Sequence, residues 1–153
     1  MPTTLDGSAL MQCVLWPDPA TLTDDEVRRR FNRAERFVDF DNTLAYYPQP
    51  GTGHTALFAT ICGVPTHQFL KERPYIIQTW TYRRNLNAYL ESFFTSVALP
   101  PPLLVICPPS TTIDGHPCMK DFAALGLTGI LIIDDEPGPH DIHAPGCTVV
   151  SPR

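Results

Sequence analysis

Charge is scarce in this chain. Only 18% of its 153 residues are Asp, Glu, Lys or Arg, too few for a disordered segment or a long coiled coil. Positive charge is scarcer still: 11 Lys and Arg stand against 16 Asp and Glu, a net charge of −5, with a sequence pI near 5.4. Such a chain has no broad electrostatic pull on nucleic acid or on anionic lipid. No apolar run approaches the ~20 residues of a membrane span, so no membrane partner is expected. The start, "MPTTLDGSALMQCVLW", lacks the basic n-region and long apolar h-region of a secretory leader. Five cysteines without such a leader predict reduced thiols and a cytoplasmic setting, the nucleus being the alternative. Internal repeats and long low-complexity tracts are missing too.

What is present suits one globular domain. The hydrophobic fraction is 43%, enough to bury a core, and the length favours a single unit. Proline is abundant, at 17 residues in clusters such as "YPQP", "LPPP" and "PGPH". These read as rigid connections between short elements.

The pattern along the chain alternates apolar strands with helices. "LMQCVLW" is a candidate strand closed by Pro17. "LTDDEVRRRFNRAERF" reads as a helix, with Thr23 as N-cap and Glu26 three residues on. Residues 1–35 are set apart as an N-terminal extension, and 36–153 as the core. "RFVDF", "LLVIC", "GILIID" and "CTVV" read as buried strands, and "MKDFAALGL" as a short helix ending near Gly126. The stretch from His67 to Val97 contains a helix, clearest where Leu86, Tyr89, Leu90 and Phe93 follow helical spacing. Residues 45–65 read as a loop or small flap. Such alternation implies an α/β fold in three layers, with a mostly parallel sheet. "RFVDF" is expected at the centre, flanked by "LLVIC" and "GILII".

Ligands of such sheets sit beyond the carboxyl ends of the strands. Two strands here end in acids: Asp39 and Asp41 after "RFV", Asp134 and Asp135 after "GILII". If these strands are neighbours, four carboxylates converge. Their repulsion demands a cation, and a hard divalent ion with oxygen ligands meets that need. Lys120 is a second source of positive charge, suited to a phosphate.

These motifs resemble the haloacid dehalogenase superfamily of phosphotransferases. "DFDNT" matches its Asp-x-Asp-x-Thr signature, "LIIDDEP" resembles its acidic metal-binding motif, and Lys120 stands where its phosphate-binding lysine is expected. "MKDFAALGLTGILIIDDEP" is similar to the RNA polymerase C-terminal-domain phosphatases. The following "DDEPGPHDI…GCTVV" is similar to the small magnesium-dependent phosphatases. The resemblance implies a Rossmann-like core with minimal or no cap and a Mg²⁺-dependent phosphatase. Asp39 would be the nucleophile and Asp41 the general acid and base. Thr43 would orient Asp41 or brace the turn, and Asn42 would contact substrate. Mg²⁺ would be held by Asp39, the main-chain carbonyl of Asp41 and the acidic pair, with one of Asp134 and Asp135 binding it directly and the other acting from nearby. An open site favours an exposed phosphate on a macromolecule, such as a phosphoprotein.

One motif departs from the pattern. After "LLVIC" the family expects a Ser or Thr for the phosphate, and here Pro108 and Pro109 intervene before Ser110. Proline supplies neither hydroxyl nor N–H, so Ser110 is the substitute. If Ser110 does not reach the phosphate, a weak or inactive binding module is the rival reading. A phosphotransferase with an acceptor other than water is a further one. Elsewhere, His140, His143, Cys118 and Cys147 are zinc-ligand types, but their spacing matches no strong motif. "RRRFNR" reads as the solvated face of a helix rather than as a basic patch.

Overall fold

The computed structural model describes residues 7–49, 51–80, 83–113, 116–118, 120–136 and 146–153. His140 and His143 lie outside the described residues.

The chain opens with helix α1 (Gly7–Gln12), strand β1 (Val14–Trp16), a 3-10 turn (Pro19–Thr21) and helix α2 (Asp24–Arg33). Strand β2 (Arg36–Asp39) follows, then the hairpin β3 (Thr60–Ile61) and β4 (Val64–Pro65), and helix α3 (Thr66–Glu72). Next come β5 (Tyr75–Gln78), α4 (Leu86–Ser96), β6 (Val105–Ile106) and a second hairpin, β7 (Thr111–Ile113) with β8 (His116–Cys118). A 3-10 turn (Ala123–Leu125), β9 (Leu131–Ile133) and β10 (Thr148–Val150) complete the order.

One six-stranded sheet organises these elements, in the order β1-β6-β5-β2-β9-β10. Every pairing is parallel except that of β1 with β6. The α/β expectation with a mostly parallel sheet therefore holds. The neighbours of β2 differ from the sequence reading: β9 is one, but the other is β5, "YIIQ", and the "LLVIC" strand β6 lies one place further out. The chain runs from β2 outward through β5 and β6, then returns to β9 and β10 on the other side. The order thus reverses at β2, and such a switch point opens a crevice at the carboxyl ends of the strands.

Period-two alternation splits the core across the sheet. Phe37, Ile76, Ile106 and Ile132 join Val27 and Phe31 of α2 and Leu10 of α1 in one apolar cluster. Val38, Ile77, Val105 and Ile133 join Leu70 of α3 and Leu90 and Phe93 of α4 in the other. All four residues of β2 are buried, as are those of β5, the signature of central parallel strands covered on both faces. The N-terminal elements thus pack into the same sheet and core as the rest. No helix among the described residues is long and apolar enough to cross a membrane.

Helix α2 starts as its sequence predicts. The Thr23 side chain accepts from the Glu26 N–H at 3.2 Å, and three acids occupy the first turn, with Arg30 and Arg33 in the last. The arginine run folds back on those acids. Arg28 pairs with Asp25, Arg29 and Arg30 with Glu26, and Arg30 also donates to Leu103 O at 2.9 Å. Thr23→Ala is expected to cost about 1 kcal/mol, read as a lower urea midpoint at unchanged slope. An unchanged midpoint would show that the cap contributes nothing.

"MKDFAALGL" does not form the helix expected of it. Only Ala123–Leu125 turn, as 3-10, closed by Gly126 at φ 72°. Asp121 Oδ1 accepts from the Ala124 N–H at 3.1 Å, and the left-handed glycine ends the turn at once. Lys120 thus precedes the turn rather than riding on a helix.

Candidate functional site

The crevice at the β2 switch point is lined by Asp39, Asp41, Asn42, Trp80, Lys120, Asp134, Asp135 and Glu136. The four sequence-singled carboxylates therefore meet, together with Lys120 and Asn42. Trp80 and Glu136 were not anticipated.

Asp39 is the last residue of β2, and Asp134 follows β9 directly. Both strands are parallel neighbours, so their carboxyl ends open to the same side, and both acids are buried. Lys120 bridges them, its Nζ 2.8 Å from Asp39 Oδ1 and 3.0 Å from Asp134 Oδ2. Lys120 itself is buried. The ammonium arrives from a segment 81 residues after Asp39, so a long-range closure assembles the site.

Thr43 is fully buried, and its Oγ1 lies 3.0 Å from Asp39 Oδ2 and 3.2 Å from Asp135 Oδ1. It also accepts from the Asp135 N–H at 3.0 Å. With one proton to give, Thr43 donates to one of these two carboxylates at a time. It braces the first acidic motif against the second. Asp134 Oδ1 accepts from the Glu136 N–H at 2.9 Å, and the Gln78 amide lies 3.4 Å from Asp134 Oδ2.

Asp41 lies two residues past the end of β2, where the chain turns. Asn42 is left-handed at φ 59°; its N–H donates to Ala45 O at 2.8 Å and its Oδ1 accepts from the Tyr47 N–H at 3.0 Å. Asn is among the few residues that tolerate this backbone. The Asp41 side chain meets a residue that the sequence did not announce: His54 Nε2 is 2.5 Å from Asp41 Oδ1. The His54 side chain is fully buried. Its Nδ1 lies 2.7 Å from the Tyr89 hydroxyl, which also accepts from the His54 N–H at 2.8 Å.

Electrostatics are strained in the direction that proximity dictates. Burial, resisted by Lys120 and reinforced by Asp134, holds the Asp39 carboxyl well above its ordinary range. Burial likewise raises Asp134, against the pull of Lys120. For Lys120, burial disfavours the ammonium, but Asp39 and Asp134 outweigh it and raise the pKa. Five acids and one lysine line the crevice, so the site as built holds excess negative charge.

The donor set suits a hard cation. One carboxylate oxygen each from Asp39, Asp134 and Asp135 lies within 4.8 Å of the others. An all-oxygen donor set of this kind could hold a hard cation rather than a soft one.

Ser110 is exposed beyond β6 and is not among the residues lining the crevice. Closer to β2 stands Thr79, fully buried, at the carboxyl end of β5; the residue before it, Gln78, is in register with Asp39. Thr79 donates its N–H to Ile106 O at 2.9 Å. The signal for it lay in "YIIQT", a β-branched run ending in a hydroxyl residue.

Compared with known protein families, with characterised proteins and with solved structures, the chain finds no match.

Proposed function

We propose that the protein is a Mg²⁺-dependent phosphomonoester hydrolase that works through an aspartyl-phosphate on Asp39. The observation carrying this reading is the meeting of Asp39, Asp41, Asp134, Asp135 and Lys120 in one crevice, with Lys120 bonded to both Asp39 and Asp134.

The residues divide the chemistry between them. Asp39 attacks phosphorus, and the bond to the leaving oxygen breaks as Asp41 gives that oxygen a proton. Water then attacks the phosphoryl group on Asp39 and passes its proton to Asp41. The P–O bond to Asp39 breaks, freeing the carboxylate and inorganic phosphate. Lys120 neutralises phosphoryl oxygens and holds Asp39 aimed. Thr43 fixes Asp39 against the loop carrying Asp135. Bound to Asp39, Asp134, Asp135 and the Asp41 carbonyl, Mg²⁺ would stabilise charge on the transferring group.

In this reading Thr79, at the end of the strand beside β2, takes over the hydroxyl role of the haloacid dehalogenase pattern; like Ser110, it is not among the residues lining the crevice. Pro108 and Pro109 then follow an outer strand, and in this reading their lack of N–H bears less on the phosphate; a weak or inactive binding module stays the rival reading. Thr79→Val is expected to raise KM for a phosphomonoester about tenfold, more than Ser110→Ala does. The reverse ranking would return the role to Ser110.

The connections around the site are short. A two-stranded hairpin joins Ser110 to Lys120, and residues 40–59 hold only isolated bridges among the described residues. Neither is the size of a cap domain, which favours a phosphate carried on a macromolecule, such as a phosphoprotein. Transfer to an acceptor other than water shares the same intermediate.

A chromogenic aryl phosphate offered with Mg²⁺ and with chelator tests the reading. Turnover that requires the metal supports it. An absence of turnover across aryl, alkyl and peptide phosphates, with no uptake of beryllofluoride, overturns it.

A further inference from the structure

A general acid must hold its proton within reach of the leaving oxygen, yet Asp41 sits where the sheet no longer holds it. It lies past the last ladder residue of β2, and its side chain is partly open to the crevice, at 28% exposure. The carboxylate has two rotatable bonds, and the backbone beside it turns through left-handed Asn42. Something other than the sheet must fix it.

His54 is built for that task. Its imidazole is clamped on several sides. It stacks on Tyr47 at 4.6 Å and 15° and tilts against Phe40 at 4.2 Å. Phe93 of α4 closes a further side at 5.9 Å. The Tyr47 N–H in turn bonds Asn42 Oδ1, tying the stack to the loop that carries Asp41. Tyr89, also on α4, is capped by the Arg83 guanidinium at 4.1 Å. A carboxylate oxygen accepts, so Nε2–H is the donor to Asp41 Oδ1, which leaves Nδ1 to accept from the Tyr89 hydroxyl, whose oxygen takes the His54 backbone N–H. A buried imidazole with both nitrogens committed and one aimed at a crevice carboxylate serves that carboxylate more than the core.

We infer that His54 is a positioning residue that holds the Asp41 carboxyl where it exchanges protons with the leaving group and with water, and that Tyr89 fixes the imidazole for it. This rests on the hydrolase reading above, and it adds what that reading lacks: a structural reason for Asp41 to stay aligned outside the sheet.

The test is a leaving-group comparison on the full chain. The parameter kcat/KM reports attack by Asp39 and departure of the leaving group, whereas dephosphorylation of Asp39 appears only in kcat. A p-nitrophenolate needs little protonation and an alkoxide needs much. His54→Leu is therefore expected to lower kcat/KM for an alkyl phosphate about 100-fold, and that for p-nitrophenyl phosphate by less than about threefold. With the aryl ester, kcat falls while kcat/KM holds, and phosphorylated Asp39 accumulates in acid-quenched samples read by mass spectrometry. His54→Gln, which keeps an N–H near the position of Nε2, restores most of the alkyl rate. Mg²⁺-dependent beryllofluoride binding stays at the wild-type level in both variants, because the nucleophile is untouched.

Equal losses on both esters, or no rescue by Gln, would make His54 a packing residue and end the inference. Should His54→Leu fail to fold, Tyr89→Phe provides the same comparison with the same selective loss on the alkyl ester. Wild-type protein inert towards both esters sinks the hydrolase reading and this one with it. Active wild-type protein with unselective His54 variants sinks this one alone.

Discussion

Asp39→Asn is expected to abolish metal-dependent phosphate ester turnover, by about 10,000-fold or more, while leaving the fold at least as stable without metal. The two halves come from one cause. Asp39 is the carboxylate at the end of β2, and in the proposed mechanism an amide there cannot take the phosphoryl group. Yet its charge is also a liability in the metal-free protein, since burial and the neighbouring Asp134 both push the Asp39 carboxyl towards its neutral form. Asn keeps the shape: with its amide oxygen turned to Lys120, its NH2 can donate to Thr43 Oγ1, while Lys120 retains Asp134 at 3.0 Å. The metal-free variant should unfold within about 1 kcal/mol of wild type or above it, read by urea titration in chelator. Mg²⁺ should then stabilise wild type but scarcely the variant. Turnover within tenfold of wild type would remove Asp39 from the chemistry. A large loss of stability would mean that its charge is needed for folding.

The parts of this site that the sequence made legible are those encoded locally. Strands β2 and β9 declare themselves as apolar runs stopped by paired acids, and α2 by its cap and charge gradient. Thr43 is legible as part of the "DFDNT" spacing, although its contacts with Asp39 and Asp135 are not. β5 escaped because "YIIQ" is four residues lodged between two helices, and a run that short carries no period of its own. Missing it put β6 beside β2, so the hydroxyl was expected after β6, at Ser110. Pro74, which ends any helix before it, was the available clue.

Sheet order is a different kind of information. It follows from which crossovers pack best over the two faces, where Phe31 and Phe122, far apart in the chain, both pack on Phe37, and no window of sequence contains that arrangement. His54 was the least legible residue of all. It lies in a Gly- and Pro-rich stretch with no periodicity, and its meaning depends on Asp41 and Tyr89, 13 positions before it and 35 after. Residues that work through a partner are visible only once the partner is in place.

Lys120→Met is expected to be the most destabilising change at the site. The methionine fills much of the same space, so the loss is electrostatic: Asp39 and Asp134 would remain buried beside each other with their shared cation gone. Breaking such a pair from one side costs about 3 kcal/mol or more. The loss should depend on pH with a definite sign. Both carboxyls are raised in the folded protein by burial, so the fold binds protons that the unfolded chain releases. Their contribution is fully present below the unfolded value of ~4 and fades as pH rises towards the folded one. Without Lys120 the folded values climb further, and the deficit against wild type should widen as pH rises above the unfolded carboxyl value. In wild type, Lys120 works in the opposite range. Its raised pKa gives stability below the ordinary lysine value near 10, lost only as pH rises through the folded one. Added Mg²⁺ should recover more stability in the variant than in wild type, because the vacated charge is the charge a divalent ion supplies. Urea titrations at pH 5 and 8, in chelator and in Mg²⁺, measure all of this. A deficit that is flat with pH would mean that Lys120 holds its place by packing, with the two aspartates already neutral.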